Sequence, residues 1–302
     1  MPFGLLNIHK PPRVTSADVV GWLKRFVRPD KIGHAGTLDP IAEGVLVVAV
    51  GSATRLIDYV QQMPKRYWAT FLLGRRSPSD DTEIAAEELV DPPIPSMAEI
   101  ERAATALVGE IQQRPPAFSA VKVAGRRAYQ LARAGRTVEL VARPVSVYEL
   151  RVVEYEYPRL VLDIRCGSGT YVRSLGRDLA ESLGTAAVMS ALVRTAIGPF
   201  RLENAADPRS ITKENLGAML LPALQAVPLL PVVRLTDEEV ATVLRGLALP
   251  AGREIPPGLT AGQECAAVDR DGELAALLRL RADGTLTPAC NLRQASPSSP
   301  QR

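Results

Sequence analysis

An apolar stretch late in the chain, residues 219–233, is interrupted by Pro222, Pro228 and Pro231. Proline lacks a backbone N–H and clashes with the preceding helical turn, so a membrane helix would tolerate this stretch poorly. We interpret it as a junction between two domains, because 302 residues are too many for one typical domain. We expect a large domain over 1–227, a small one over 228–292 and a disordered tail over 293–302, which is rich in Ser, Pro and Gln.

Helix and strand patterns alternate within the large domain. Ser16 is a suitable N-cap for a helix whose apolar residues follow at spacings of three and four. Residues 45–50 are predicted to form a buried strand, and Tyr67, Ala69 and Phe71 to share one face of another. Three further patterns predict a capped helix, a strand and a second helix: Ser96 with Glu99, residues 160–164, and residues 172–184.

The small domain is expected to consist mostly of β-strands. Thr236 and Glu239 form the capping box of one short helix. Asp271-Gly272 and Asp283-Gly284 are typical hairpin turns, and each lies between apolar runs.

Charge is unevenly distributed, although the net charge is only +3. Acidic residues dominate 80–110, whereas 114–143 contains seven arginines and lysines with Glu139 as its one acidic residue. A polyanion such as a nucleic acid is the partner that such a segment suits, and a solvated surface strip is the alternative. We call the segment at about 112–144 the basic insertion.

The three cysteines are far apart and form no CxxC pair, which favours neither a zinc site nor a disulfide framework. The N-terminus has no long apolar core with a cleavage site, so nothing in it indicates export. A reducing cytoplasm is therefore the expected location.

The segment most informative about chemistry is a glycine-rich loop at 33–46 that carries Asp39-Pro40 and leads into the strand at 45–50. Pro40 restricts the backbone of Asp39 to extended conformations, and the glycines permit close approach of another backbone or a base. A positioned nucleophile is one interpretation. The other is that Asp39 caps a turn with Pro40 at its first position, and the local physics alone favours this cap.

His34 lies in the same loop. As a metal ligand it lacks a second ligand at usable spacing, so a metal-dependent hydrolase built on His34 and Asp39 is a distant alternative, and a loop hydrogen bond or a phosphate contact is favoured.

The loop also resembles the motif GHxGTLDPxAxGxL of the tRNA pseudouridine-55 synthase family. Three more segments agree with that family and extend the resemblance over roughly residues 5–200: Lys10-Pro11, Lys65-Arg66-Tyr67, and Arg114 to Tyr129. The run from Cys166 to Leu175 resembles the family's GTYxRxL segment.

This resemblance implies an α+β chain with a pseudouridine synthase fold, built on a mixed, largely antiparallel sheet, and a small C-terminal β-rich domain resembling a PUA module. It implies that Asp39 is the nucleophile, that Arg173 pairs with it, and that Tyr67 stacks on the target base. No cofactor and no metal are expected. The substrate contacts implied are His34, Tyr171, Leu192, Lys10, Lys122, Arg126 and Arg127.

The implied substrate is the T arm of tRNA, held by the basic insertion, and the implied reaction converts the uridine at position 55 to pseudouridine. A monomer is expected. Some positions depart from the family: Val193 stands where an arginine is common, and residues 75–80 lack the usual threonines, which predicts a local conformational difference. The alternative from another class is an RNA chaperone that folds tRNA without catalysis.

Overall fold

The computed structural model describes residues 3–119, 121–123, 125–134 and 140–293. The helices are α1 (Ser16–Val27), α2 (Ile57–Gln62), α3 (Met97–Ala106), α4 (Ala128–Arg133), α5 (Val172–Ser182), α6 (Leu216–Met219) and α7 (Asp237–Leu244). The strands are β1 (Gly4–Lys10), β2 (Ile32–His34), β3 (Glu43–Val50), β4 (Lys65–Leu73), β5 (Arg75–Arg76), β6 (Glu87–Glu88), β7 (Gly109–Gln113), β8 (Lys122–Val123), β9 (Arg126–Arg127), β10 (Arg143–Glu156), β11 (Arg159–Cys166), β12 (Ala187–Ile197), β13 (Phe200–Arg201), β14 (Val232–Arg234), β15 (Glu264–Val268), β16 (Leu274–Leu280) and β17 (Leu286–Asn291).

The main sheet runs in the order β1-β3-β12-β4-β11-β10-β7, with β2 and β13 attached to β3 and β12. Its pairs are antiparallel except β12 with β3, so the predicted mixed, largely antiparallel sheet is confirmed. In β4 the residues Tyr67, Ala69 and Phe71 are buried and Trp68 is exposed, as their alternation predicts. Helices α3 and α5 pack on this buried face, and α1 packs on β1 and β3.

Helix α1 begins one residue earlier than the predicted cap implies. The N-cap is Thr15, and its side chain and that of Asp18 bond each other's backbone N–H groups in a capping box. The prediction of Ser16 as the cap was therefore wrong. The Ser16 hydroxyl instead accepts a hydrogen bond from Leu38 N at 2.9 Å, which ties α1 to the glycine-rich loop. The capping boxes predicted at Ser96 and Thr236 are confirmed.

A second sheet, in the order β14-β15-β16-β17, lies at the C-terminal end of the described chain. Its hairpin turns fall at the two Asp-Gly pairs. One face packs on its own small core and the other on residues of β3, α2 and the segment before α2. The division of the chain at 227 and 228, and the likeness of this sheet to a PUA module, remain proposals.

The basic insertion connects β7 to β10, and within it β8 and β9 form a short hairpin. Only the backbone is described at Lys122, Arg126 and Arg127, so the contacts predicted for these side chains lie outside the described part of the structure. The tail from residue 294 onward lies outside it as well. In the described residues, no helix is both long enough and apolar enough to span a membrane.

Candidate active site

The glycine-rich loop between β2 and β3 is fixed by bonds to several distant segments. Ala35 N donates to Val47 O at 2.8 Å, and Arg13 N donates to Pro40 O at 2.7 Å. Gly44 has a φ of 108°, and a Cβ there would lie 2.3 Å from Arg194 O, so glycine is required for the close approach to β12. The loop is therefore a rigid support.

Lys10 lies beneath this loop and is fully buried. Its Nζ donates to Val14 O at 2.7 Å and to Pro11 O at 2.9 Å, and lies 3.5 Å from Pro40 O. Burial lowers the pKa of Lys10 to about 8, and attraction to Asp39 opposes this shift. In the structure, Lys10 connects the segment of Pro11 and Val14 to the loop at Pro40. Substrate binding by Lys10 stays a prediction.

Asp39 and Arg173 form an ion pair, as the resemblance implies. Arg173 Nε lies 3.0 Å from one Asp39 oxygen, and Nη2 lies 3.3 Å from the other. The Arg173 side chain is only 5% exposed, whereas that of Asp39 keeps 34% of its surface exposed. A buried guanidinium thus orients a carboxylate that remains open on one side.

A second carboxylate, Asp81, binds the same guanidinium from the interior. Its oxygen lies 3.3 Å from Arg173 Nη1, and its side chain is 2% exposed. Arg173 also donates to Ser79 O at 2.8 Å and to Phe118 O at 3.1 Å. Arg173 is therefore held in place by groups other than Asp39.

Burial is the main cause that raises the pKa of Asp39 above its usual range. The positive charge of Arg173 opposes this shift, and the negative charge of Asp81 adds to it. The capping alternative for Asp39 is not what the described contacts show: its backbone carbonyl closes a turn with Ala42 N at 3.1 Å, while its side chain faces Arg173.

Arg194 was missed by sequence reasoning and is the largest fully buried side chain among the described residues. It donates to Val45 O at 2.7 Å and to Gly36 O at 3.1 Å. Its charge interacts electrostatically with Tyr67, Asp39 and His34. One arginine thus joins the loop that carries the nucleophile candidate to the tyrosine candidate.

The remaining candidates surround this centre. Tyr67 and Leu192 are 8% and 6% exposed and belong to the same apolar cluster as Leu38. Burial raises the pKa of Tyr67 and lowers that of His34, so both favour their neutral forms. Tyr171 immediately precedes α5, two residues before Arg173, and the Arg143 guanidinium lies 5.3 Å from its ring centre.

Asp81 and Arg194 carried no local sequence signal. Asp81 immediately follows the segment 75–80, where the sequence departs from the family, and Arg194 follows the departing Val193. In the described residues, no cluster of three His, Cys, Asp or Glu side chains is arranged to hold a metal ion. Chemically, the arrangement presents one partly exposed carboxylate on a rigid support, beside a buried cation and a neutral tyrosine.

Comparison with known proteins identifies a matching family model and similar relatives. Residues 24–172 match the family model described as TruB family pseudouridylate synthase (N terminal domain). The tRNA pseudouridine synthase B of Arthrobacter sp. (strain FB24) is 40% identical, over 91% of this chain and 92% of that protein. That of Moorella thermoacetica (strain ATCC 39073 / JCM 9320) is 39% identical, over 94% and 95%.

The chain belongs to the TruB family of pseudouridylate synthases. The fold is similar to that of two solved structures over nearly the whole chain. A Cbf5-Nop10-Gar1 complex contains a chain 28% identical with a TM-score of 0.75, covering 97% of this chain and 86% of that one. An H/ACA RNP bound to a substrate RNA containing 2′-deoxyuridine gives 26% identity and a TM-score of 0.75, with the same coverage.

Proposed function

We propose that this chain isomerises uridine to pseudouridine in tRNA, at position 55 of the T loop. The observation that carries the proposal is the pair of Asp39 and Arg173, in which an open carboxylate is oriented by a buried guanidinium 3.0 Å away. Family membership and two relatives named tRNA pseudouridine synthase B support it. Both names describe a synthase, and neither describes an RNA chaperone.

The reaction breaks the bond between N1 of the base and C1′ of the ribose and forms a bond between C5 and C1′. Asp39 is the nucleophile, and it attacks either C1′ or the base. The hydrogen at C5 leaves as a proton, and N1 gains one. Arg173 keeps the carboxylate ionised, and the buried Tyr67 ring provides the surface on which a flipped base stacks.

The basic insertion is proposed to hold the T arm through its phosphates, with Lys122, Arg126 and Arg127 as contacts. Its charge pattern supports this assignment. His34, Tyr171 and Leu192 are proposed to line the space around the flipped base, and Lys10 to contribute to substrate binding. We further propose that the protein acts as a monomer in the cytoplasm without a cofactor.

The proposal is tested with an unmodified tRNA transcript carrying tritium at C5 of its uridines. Wild type is expected to release tritium from the T-loop uridine. Asp39→Asn is expected to bind the transcript with unchanged affinity and to react slower by roughly 10⁴-fold or more. Asp58→Asn is the matched control, because Asp58 is exposed on α2 and is expected to leave the rate unchanged.

The same experiment separates the rival functions. If wild type refolds tRNA but releases no tritium, the protein is a chaperone and the proposal is wrong. The Asn variant is expected to fold, since burial disfavours the charge of Asp39 and asparagine removes that charge. Its unfolding temperature at pH 7 is therefore expected to match or exceed that of wild type.

A further inference from the structure

The start of α5, which carries Arg173, has no capping side chain of its own. Tyr171 occupies the N-cap position and makes no side-chain cap bond. Such a helix start leaves backbone N–H groups without partners unless another segment supplies them. A residue outside the helix can supply such a partner and hold this end in place.

Gln113, the last residue of β7, supplies that contact. Its Oε1 accepts from Tyr171 N at 2.8 Å, and its Nε2 donates to Tyr171 O at 3.1 Å. The side chain is 1% exposed, so these bonds are sheltered from water. A glutamine amide is one of the few side chains that can satisfy a backbone N–H and a backbone C=O together.

Arg143, at the start of β10, contacts the same turn. It pairs with Gln113 across β7 and β10, donates to Gly169 O at 2.7 Å, and lies over the Tyr171 ring. Gln113 and Arg143 are thus the two ends of the basic insertion, and both hold the turn that precedes α5.

Two backbone carbonyls of the basic insertion bind α5 farther along. Phe118 O accepts from Arg173 Nη2 at 3.1 Å, and Arg114 O accepts from Arg177 Nη2 at 2.8 Å. The base of the insertion is therefore built against the helix that orients Asp39.

We propose that Gln113 is a positioning residue, which sets Arg173 against Asp39 by fixing the start of α5 to the base of the basic insertion. This inference rests on the proposed function, because it concerns the rate of that reaction. Gln113 acts through Tyr171 and Arg173 and does not itself touch the reacting atoms.

The test compares Gln113→Met with Gln62→Met. Methionine keeps the length of glutamine and removes both bonds to Tyr171, whereas Gln62 is exposed at the end of α2 and lies outside the basic insertion. Single-turnover rate constants and tRNA dissociation constants are measured for both. A small misplacement of a reacting group can cost up to about 100-fold, so we expect Gln113→Met to be at least about tenfold slower with its Kd within about twofold of wild type. Gln62→Met is expected to match wild type in both.

Gln113→Glu provides the graded variant, because it keeps the oxygen that accepts from Tyr171 N and loses the donor. Its rate is expected between those of wild type and Gln113→Met, and it decides the matter alone if the methionine variant does not fold. The inference is overturned if the variants react at the wild-type rate. It is also overturned if Kd rises by the same factor by which the rate constant falls. If wild type itself forms no pseudouridine, the proposed function fails instead.

Discussion

The protonation of Asp39 is influenced by a positive and a negative charge nearby. Burial raises its pKa, Arg173 counteracts this effect, and Asp81 strengthens it. Asp81 at the same time binds Arg173 from the interior at 3.3 Å. The two charges next to Asp39 thus influence its protonation in opposite directions, and this can be measured.

The pH dependence of the single-turnover rate is expected to respond oppositely to two substitutions. The rate of wild type rises with pH as Asp39 ionises, with an acid limb above the ordinary aspartate pKa of about 3.9. Arg173→Met removes the charge that lowers the pKa, so the limb moves to higher pH and the rate falls. Asp81→Asn removes a charge that raises it, so the limb moves to lower pH. Shifts in the same direction would contradict this assignment of charges.

At the scale of elements, two helical glycines differ in what surrounds them. Gly176 lies on the buried side of α5, where a Cβ would meet the Phe71 ring at 2.0 Å. Gly21 lies on the exposed side of α1, where a Cβ would meet nothing within 4 Å. Helix propensity favours alanine at both positions, but only the second has room for it.

Gly176→Ala is therefore expected to lower the free energy of unfolding by about 1–3 kcal/mol, because the packed ring has to move. Gly21→Ala is expected to raise it by roughly 0.5–1 kcal/mol. Urea unfolding of the two variants beside wild type measures both. Equal effects of the two alanines would mean that α5 does not pack on β4 as described.

Structural features that depend on residues within one helix or strand were predictable from the sequence. The capping box of Ser96 and Glu99 and the buried face of β4 are examples, because the interacting residues are a few positions apart. The roles of Arg194 and Asp81 in the site were not predictable, since the site residues that they contact, Val45 and Arg173, lie more than 90 residues away in the chain. The prediction of Ser16 as a cap was wrong for a similar reason, because its hydroxyl accepts a hydrogen bond from the distant Leu38 N.

At the scale of the whole molecule, β16 explains why the contact between the two sheets could not be predicted. Its continuous apolar run indicates burial on both faces but does not identify the partner of either. In the structure, Leu278 faces the small core of the second sheet, whereas Leu277 packs in a cluster with Leu56 and Val60. Both leucines are fully buried.

These adjacent leucines allow the contact between the sheets to be tested without cutting the chain. Each change to alanine is expected to cost about 2–5 kcal/mol, because each leaves a cavity in a packed core. Only Leu277→Ala removes a contact to the cluster that contains Leu56 and Val60, so only this variant is expected to speed hydrogen exchange in residues 51–62 under native conditions. Leu278→Ala is the matched control, and it is expected to speed exchange in β15 to β17 alone. Unchanged exchange of 51–62 in Leu277→Ala would show that the second sheet does not support this segment. The faster exchange expected would mean that both sheets share one core and that the position of the second sheet is fixed relative to the glycine-rich loop.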